Sequence, residues 1–427
     1  MKSYGQLWQR IVSAENLELA WRRVKKGHSR SSGVVEFSKS AEKNLVELQK
    51  ELLSGDYSPS GYHQFRIFDP KPRTISCAPV RDRIVHQALC HVITPLMEKS
   101  FVKVSFACRK GYGSHRACRL ARRYAAKYKY FCKMDIRHYF DSIEHKILLE
   151  GLNRRFREPE VKALVLKIIE SPVAGLQLGR GLPVGNLTSQ WFANFYLDEF
   201  DHEVCRWFGK EAVAYIRYMD DFVFFANSKA LLWSIHDRAV AWLFKQRGLE
   251  EKSEATMIAP IEEGLPFLGL RIFSGSWRLK HSRLVRTRRA LAARLRQYEC
   301  GELSDQRFGR CVASIEGGLR WFGFKNILAS GRCAESGSSR VIRGFCHNNN
   351  GNNNNATSFY RYGGDPSSNR YNNNGNNTYL GFRLSSTLSG QCQGPARGAG
   401  ASRIAKTNMH GDGWLVAHAN ATPKPNF

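Results

Sequence analysis

The chain is short of acid. Aspartate and glutamate total 37 against 65 lysines and arginines, a formal net charge of +28. Such an excess fixes no fold, but it predicts attraction to polyanions, with nucleic acid first and an anionic membrane surface second. The sequence also lacks a basic tail that could carry the excess alone. From residue 331 onward there are ten basic and three acidic residues, so most of the surplus is spread along the earlier chain. A folded basic surface or channel fits that spread better than a disordered arm. The eleven cysteines are scattered and form no CxxC pair, which reads as reduced, mostly structural thiols. No segment approaches the ~20 apolar residues that a membrane span needs. The opening MKSYGQLWQRIVSAENLELAW has no continuous apolar stretch of the signal-peptide kind. A cytosolic protein without a membrane partner is the expectation.

What is present suffices for a large fold. With 427 residues, 42% of them hydrophobic and 12% aromatic, two or three domains and a sizeable core are expected. Residues 1–60 read as helices. Leu7, Trp8, Ile11 and Val12 suggest an amphipathic one, and Leu45, Leu48 and Leu52 lead to Gly55, a natural C-cap. FRIF and RTISC read as a hairpin turned at Pro70-Lys71-Pro72, followed by a helix over RDRIVHQALCHVITPLMEK. In that helix His86, Cys90 and His91 are close enough to suggest a metal site, but the apolar run favours burial. Residues 128–135 read as a strand ending on Asp135. Residues 158–171 read as a helix with Val161, Leu164, Val165, Ile168 and Ile169 on one face, and 186–206 as a further helix. VAYIR and FVFFA read as strands around YMDD. A helix is expected over 231–247, a short strand or hairpin within 265–280, and basic helices over 281–330.

Two adjacent aspartates at a tight turn between apolar strands are unusual. Successive side chains alternate faces, so a bend is needed to bring Asp220 and Asp221 near one point. Pairing their ribbon with the strand that ends on Asp135 would gather three carboxylates at one sheet edge. Crowded carboxylates resist ionisation, and hard divalent cations relieve that. Two such ions ~3.5–4 Å apart can activate a hydroxyl and stabilise a leaving pyrophosphate. The plainer alternative is that both aspartates only form the turn. Lys133 is expected on the strand face opposite Asp135.

At this point several segments resemble one family. YMDD resembles motif C of reverse transcriptases, KMDIRHYFDSI motif A, and GLPVGNLTSQWFANFYLDEFD motif B. PKPRTISCAPVRDRIVHQAL resembles the fingers motifs and FLGLRI the primer grip. Order and spacing match over about residues 1–330. Within that superfamily the chain most resembles reverse transcriptases of diversity-generating retroelements, through its compact length, its want of an N-terminal extension and VGNLTSQ. Many other reverse transcriptases have glutamine at the place of Val184, followed by GxxxSP, where this chain has Gly185 and then Ser189-Gln190.

The resemblance implies an α+β right-hand polymerase. Its parts would be an N-terminal helical segment over 1–60, fingers and a palm with an antiparallel sheet over 61–276, a basic helical thumb over 277–330 and a low-complexity tail over 331–427. It implies an RNA-directed DNA polymerase making error-prone cDNA from a template-repeat RNA to diversify a target gene. A retron or group II intron reverse transcriptase is the alternative, and a non-catalytic RNA-binding protein on the same scaffold a third reading. Asp135, Asp220 and Asp221, with the Ile136 carbonyl, would hold two Mg²⁺ ions, Mn²⁺ being the substitute. Arg73, His138, Tyr139, Phe140, Val184, Gly185 and Gln190 would contact the dNTP, Arg73 through its fork of donors. Phe140 would be a gate against the ribose 2′-hydroxyl, or else a core ring. Val184 forgoes the hydrogen bond a glutamine offers, a route to low fidelity, or else packs beneath the site. Lys252 is either a general acid for pyrophosphate or a solvated lysine. Phe267, Leu268 and Gly269 would grip the primer. RLKHSRLVRTRRALAARLR suits backbone contacts to template and primer. The implied partners are template RNA, the cDNA or primer strand, dNTPs and a basic accessory protein oligomer, in the cytoplasm of a bacterium or archaeon or encoded by a phage.

Thirteen asparagines fall between Asn348 and Asn377, and composition places a boundary near 331. Such a segment reads as a disordered polar tail. The framing words RVIRG and GFRL resemble the end of lectin-like variable proteins. Asparagine codons are adenine-rich, so a translated template repeat, or a fused lectin-like fragment, is the sharper expectation.

Overall fold

The computed structural model describes residues 3–68, 72–207, 213–320 and 322, with the short stretches 332–333, 340–343 and 383–384. Most of the expected asparagine-rich tail, and the Pro70-Lys71 part of the expected hairpin turn, lie outside the described residues. The chain divides into two compact units between Arg278 and Leu279.

The first unit opens with four helices, α1 (Trp8–Val12), α2 (Ala14–Lys25), α3 (Ser32–Ser38) and α4 (Ala41–Ser54). The Ser13 hydroxyl accepts from the Asn16 N–H and caps α2. Gly55 ends α4 at φ +81°, as its sequence position suggested. Strands β1 (His63–Ile67) and β2 (Arg73–Cys77) pair antiparallel with Ile67 opposite Arg73. The first strand therefore begins two residues before FRIF and leaves Phe68 outside it. Helix α5 (Val80–Glu98) is central and buries Ile84, Val85, Ala88, Leu89, Val92 and Ile93. His86 and Cys90 are buried within it, while His91 faces Asn16 at 2.7 Å, so the helix-core reading holds.

The central sheet is four-stranded and antiparallel in the order β4-β5-β3-β6, made of β3 (Tyr130–Met134), β4 (Val213–Tyr218), β5 (Asp221–Ala226) and β6 (Met257–Pro260). Strand β5 after Asp221 is buried residue by residue, which is why FVFFA reads as a continuous apolar run. Phe222 meets Phe200 edge-on at 5.4 Å, and Phe225 meets Tyr124 of α6 (Ser114–Lys127) at 5.5 Å, so both faces of β5 are covered. Burying each such ring contributes roughly 1.5–3 kcal/mol. Helix α7 (Tyr139–Ser142) is one turn. Helix α8 (His145–Arg155) precedes α9 (Pro159–Ile169), whose buried residues are the five apolar ones named above.

Where one helix over 186–206 was expected there are two, α10 (Leu187–Tyr196) and α11 (Asp198–Trp207), broken at Leu197. The break lets α10 end near the Met219-Asp220 turn while Asp198 and Asp201 begin a new helix. Helix α12 (Lys229–Arg247) packs on β3, β5 and β6. A second small sheet, β7 (Leu265–Phe267), β8 (Leu270–Ile272) and β9 (Trp277–Leu279), closes the unit. Leu268 and Gly269 turn its first hairpin, both at positive φ.

The second unit contains α13 (His281–Glu299) and α14 (Asp305–Arg320), with Leu291, Leu303, Phe308 and Val312 at their shared core. It also holds three short strands, in which Ile342 of RVIRG pairs with Leu384 of GFRL. Among the described residues no helix is long and apolar enough to cross a membrane.

Candidate active site

Register builds the site. Met134 stands opposite Phe222 in the β3–β5 pairing, and Tyr218 pairs with Asp221 across the β4–β5 turn. The next residue after β3 is Asp135, so it emerges beside Asp221. Only Met219 and Asp220 make the turn. Met219 adopts φ +59°, an uncommon conformation for a residue with a side chain, and supplies the bend that alternation alone would not.

Electrostatics link the three carboxylates. Burial, then Asp221, then Asp135 push the Asp220 carboxyl up to about 7. Burial and Asp221 also raise Asp135, against the pull of Lys133, Lys252 and the Ile136 N–H. These are oxygen donors whose charge is expensive without a cation, and that chemistry fits Mg²⁺. Among the described residues, however, no three acidic, histidine or cysteine side chains converge closely enough to hold a metal as they stand. Asp221 is paired instead with a lysine. The Lys133 ammonium lies 2.5 Å from its Oδ1. The expectation that Lys133 faces away from Asp135 is thus corrected. Positions 133 and 135 are two apart on a strand and share a face.

A second strap holds Asp135. Its carbonyl accepts from the Lys252 N–H at 2.9 Å, and the Arg137 N–H reaches Glu250 at 2.9 Å, with Ile136 bridged to Glu251 between them. Lys252 is half-buried and its charge reaches Asp135, so it stands at the site rather than on a remote surface. Ile136 buries its side chain. The exposed ring of His138, at φ +45°, lies 3.8 Å from an Asp141 oxygen. Tyr139 points inward, donating its hydroxyl to the Ala193 carbonyl, and Phe140 is half-buried with its ring 5.7 Å from that of Tyr139.

Of the remaining expected dNTP residues, Arg73 lies in β2, and Val184 and Gly185 lie against it. The Arg73 charge is felt at Asp220, although Arg73 itself is exposed. The Val184 carbonyl accepts from the Ser76 N–H at 2.8 Å. Gly185 has φ +129°, and a Cβ there would sit 2.9 Å from the Ser76 oxygen. Only glycine lets the segment before α10 lie this close to β2. Gln190 accepts from the Cys108 thiol at 3.6 Å and is partly buried. In the β7–β8 turn Phe267 is fully buried, and Leu268 and Gly269 are half-exposed.

The sequence reading missed Asn194, Asp201 and Arg217, which lie directly beneath the turn. The signal was present: an arginine inside the apolar strand VAYIRY must be buried, and a buried charge needs a partner.

Residues 68–272 match the reverse transcriptase (RNA-dependent DNA polymerase) family. It is 28% identical over 286 residues to protein YkfC of Escherichia coli, covering 57% of this chain and 74% of that protein. It is 24% identical over 168 residues to the group II intron-encoded protein LtrA of Lactococcus lactis, covering 38% of this chain and 28% of that one. The chain thus spans most of one relative and under a third of the other. Among solved structures it resembles apo telomerase from Candida tropicalis with a TM-score of 0.45 and 14% identity, over 61% of this chain and 57% of that one.

Proposed function

We propose that the protein is an RNA-directed DNA polymerase that adds dNTPs to a primer by two-Mg²⁺ nucleotidyl transfer. The observation that carries this reading is the gathering of Asp135, Asp220 and Asp221 by strand register, with Asp220 raised to about 7 by burial and its neighbours. Asp135, Asp220 and Asp221, with the Ile136 carbonyl, would hold the metal. Bound there, it would supply charge for the attacking 3′-oxygen and the leaving pyrophosphate. Lys133 would have to leave Asp221 as the cations arrive. Arg73 would hold the triphosphate through its planar fork, and the backbone at His138 and Tyr139 would meet the same phosphates. Phe140 would exclude a ribose 2′-hydroxyl. Lys252, tied to Asp135 through its backbone, is suited to protonate pyrophosphate. The test is extension of a DNA primer on an RNA template in Mg²⁺, with Asp220→Ala as control. Wild-type extension that the variant loses supports the reading, and no incorporation by the wild type favours an RNA-binding protein on the same scaffold.

Two finer readings have separate support. An error-prone retroelement polymerase, with an accessory protein and a template repeat, rests on Val184-Gly185 and Ser189-Gln190 in motif B. A group II intron type of enzyme is favoured by the similarity to LtrA. Sequencing the cDNA made on an adenine-rich template separates them. Errors concentrated at template adenines support the first, and even, infrequent errors support the second.

A further inference from the structure

The largest investment of buried charge in the palm lies outside the groups just discussed. Arg217 is fully buried, as is Asp201. A guanidinium has five N–H donors, and all five of these are used. Nε donates to Asp201 Oδ1 at 2.7 Å and Nη2 to Asp201 Oδ2 at 2.5 Å. Nη1 donates to Asn194 Oδ1 at 2.8 Å and to the Met219 carbonyl at 3.1 Å, and Nη2 to the Asn194 carbonyl at 3.2 Å. Asp201 is also held by the Tyr215 hydroxyl at 2.8 Å.

A buried pair of this kind adds little net stability over apolar packing, because desolvation of both ions offsets their attraction. Its geometry suggests a different use. The Met219 carbonyl belongs to the residue at φ +59° whose bend sets the two adjacent aspartates. Asn194 belongs to the last turn of α10, where carbonyls lack partners within the helix. Those carbonyls are taken up by side chains from three directions: Ala193 by Tyr139, Asn194 by Arg217 and Tyr196 by Arg247. The same helix begins just after Gly185, where the chain is clasped to β2.

We infer that Arg217 is a positioning residue that ties the Met219-Asp220 turn to the end of α10, so that the segment shaping the nucleotide pocket also sets the metal-binding carboxylates. Asp201 holds the guanidinium in register for this, and Asn194 completes the joint. The inference rests on the polymerase reading, and it concerns the residues that place Asp220 and Asp221 rather than the reaction itself.

The test uses the full chain with Arg217→Met, the double variant Arg217→Met/Asp201→Leu, and Arg217→Lys. Thermal melting, Mg²⁺ binding to the resting protein by calorimetry and the Mg²⁺ dependence of primer extension are measured for each. Arg217→Met should melt lower, since Asp201 is left buried without its partner. The double variant removes both charges and should recover most of the melting temperature. It should still bind Mg²⁺ about tenfold more weakly and show a lower kcat with little change in KM for dNTP, a difference of about 1.4 kcal/mol. If the double variant does not fold, Arg217→Lys carries the test. It keeps a charge beside Asp201 but has too few donors to reach Met219 and Asn194 together, so the same weakening is expected. Wild-type Mg²⁺ affinity and kcat in a folded double or lysine variant overturn the inference and leave the polymerase reading intact. A wild type that neither binds Mg²⁺ nor extends a primer overturns both.

Discussion

Gly185 shows how a single residue joins two parts of the site. It combines φ +129° with a 2.9 Å approach of its missing Cβ to the Ser76 oxygen, while Ser76 donates to Val184 next door. Gly185→Ala must therefore strain its backbone or push β2 away, at a cost on the order of 1–3 kcal/mol. We expect a melting temperature lower by several degrees and a raised KM for dNTP, checked by calorimetry and steady-state extension. At this scale the carboxylates were readable because their neighbours were strand residues of known period. Lys133 was misread against that same rule, since residues two apart share a face. That Arg217 needs a buried partner was readable, but which groups it joins was not, because they lie at a helix end and a turn apart from one another in sequence. Val184 was readable as an apolar residue, but not as one whose carbonyl is tied to the β1–β2 hairpin.

Elements fix what residues alone do not. Helix α12 is anchored to the strap beside Asp135 by His236, whose Nε2 lies 2.8 Å from Glu251 and whose Nδ1 lies 2.9 Å from Asp237. Burial lowers the His236 pKa, but its hydrogen bonds to Asp237 and Glu251 outweigh that and raise it above 6.5 overall. A group with a raised folded pKa contributes stability that is full below its unfolded value and lost as pH rises through the folded value. The protein should therefore lose part of its stability as pH climbs from about 6.5 through the raised pKa. His236→Gln should flatten that part of a melting-temperature profile between pH 6 and 9, and an unchanged profile would contradict the assignment. Helix α9 and the β4–β5 hairpin were legible from periodicity, because one buried stripe or one apolar run defines each. The break at Leu197 was not, because no glycine or proline stands between Leu187 and Trp207 to mark it.

For the whole molecule, charge is the dominant physical fact. A net +28 on a chain that matches reverse transcriptases over residues 68–272 predicts binding to RNA that weakens steeply with salt. If about six phosphates are contacted on a single strand, affinity should fall by roughly 100-fold or more between 50 and 200 mM salt, measured by filter binding or anisotropy. A nearly flat dependence would mean that the basic surplus is not the RNA-binding surface. The fold class was legible in the sequence through motif order, which covers the first unit. The sequence also marked the compositional boundary near 331, but composition does not say what the following segment does.

The central claim is that Asp135, Asp220 and Asp221 act together on a bound cation to join a dNTP to a primer. Its most direct test is single-nucleotide incorporation opposite a defined RNA template base, titrated with Mg²⁺, for the wild type and for Asp135→Asn and Asp220→Asn. The account predicts Mg²⁺-dependent addition of the complementary dNTP by the wild type and a loss of at least about 100-fold in each variant, as expected when charge stabilisation at the reacting atoms is removed. Addition by either variant at the wild-type rate and Mg²⁺ dependence would contradict it.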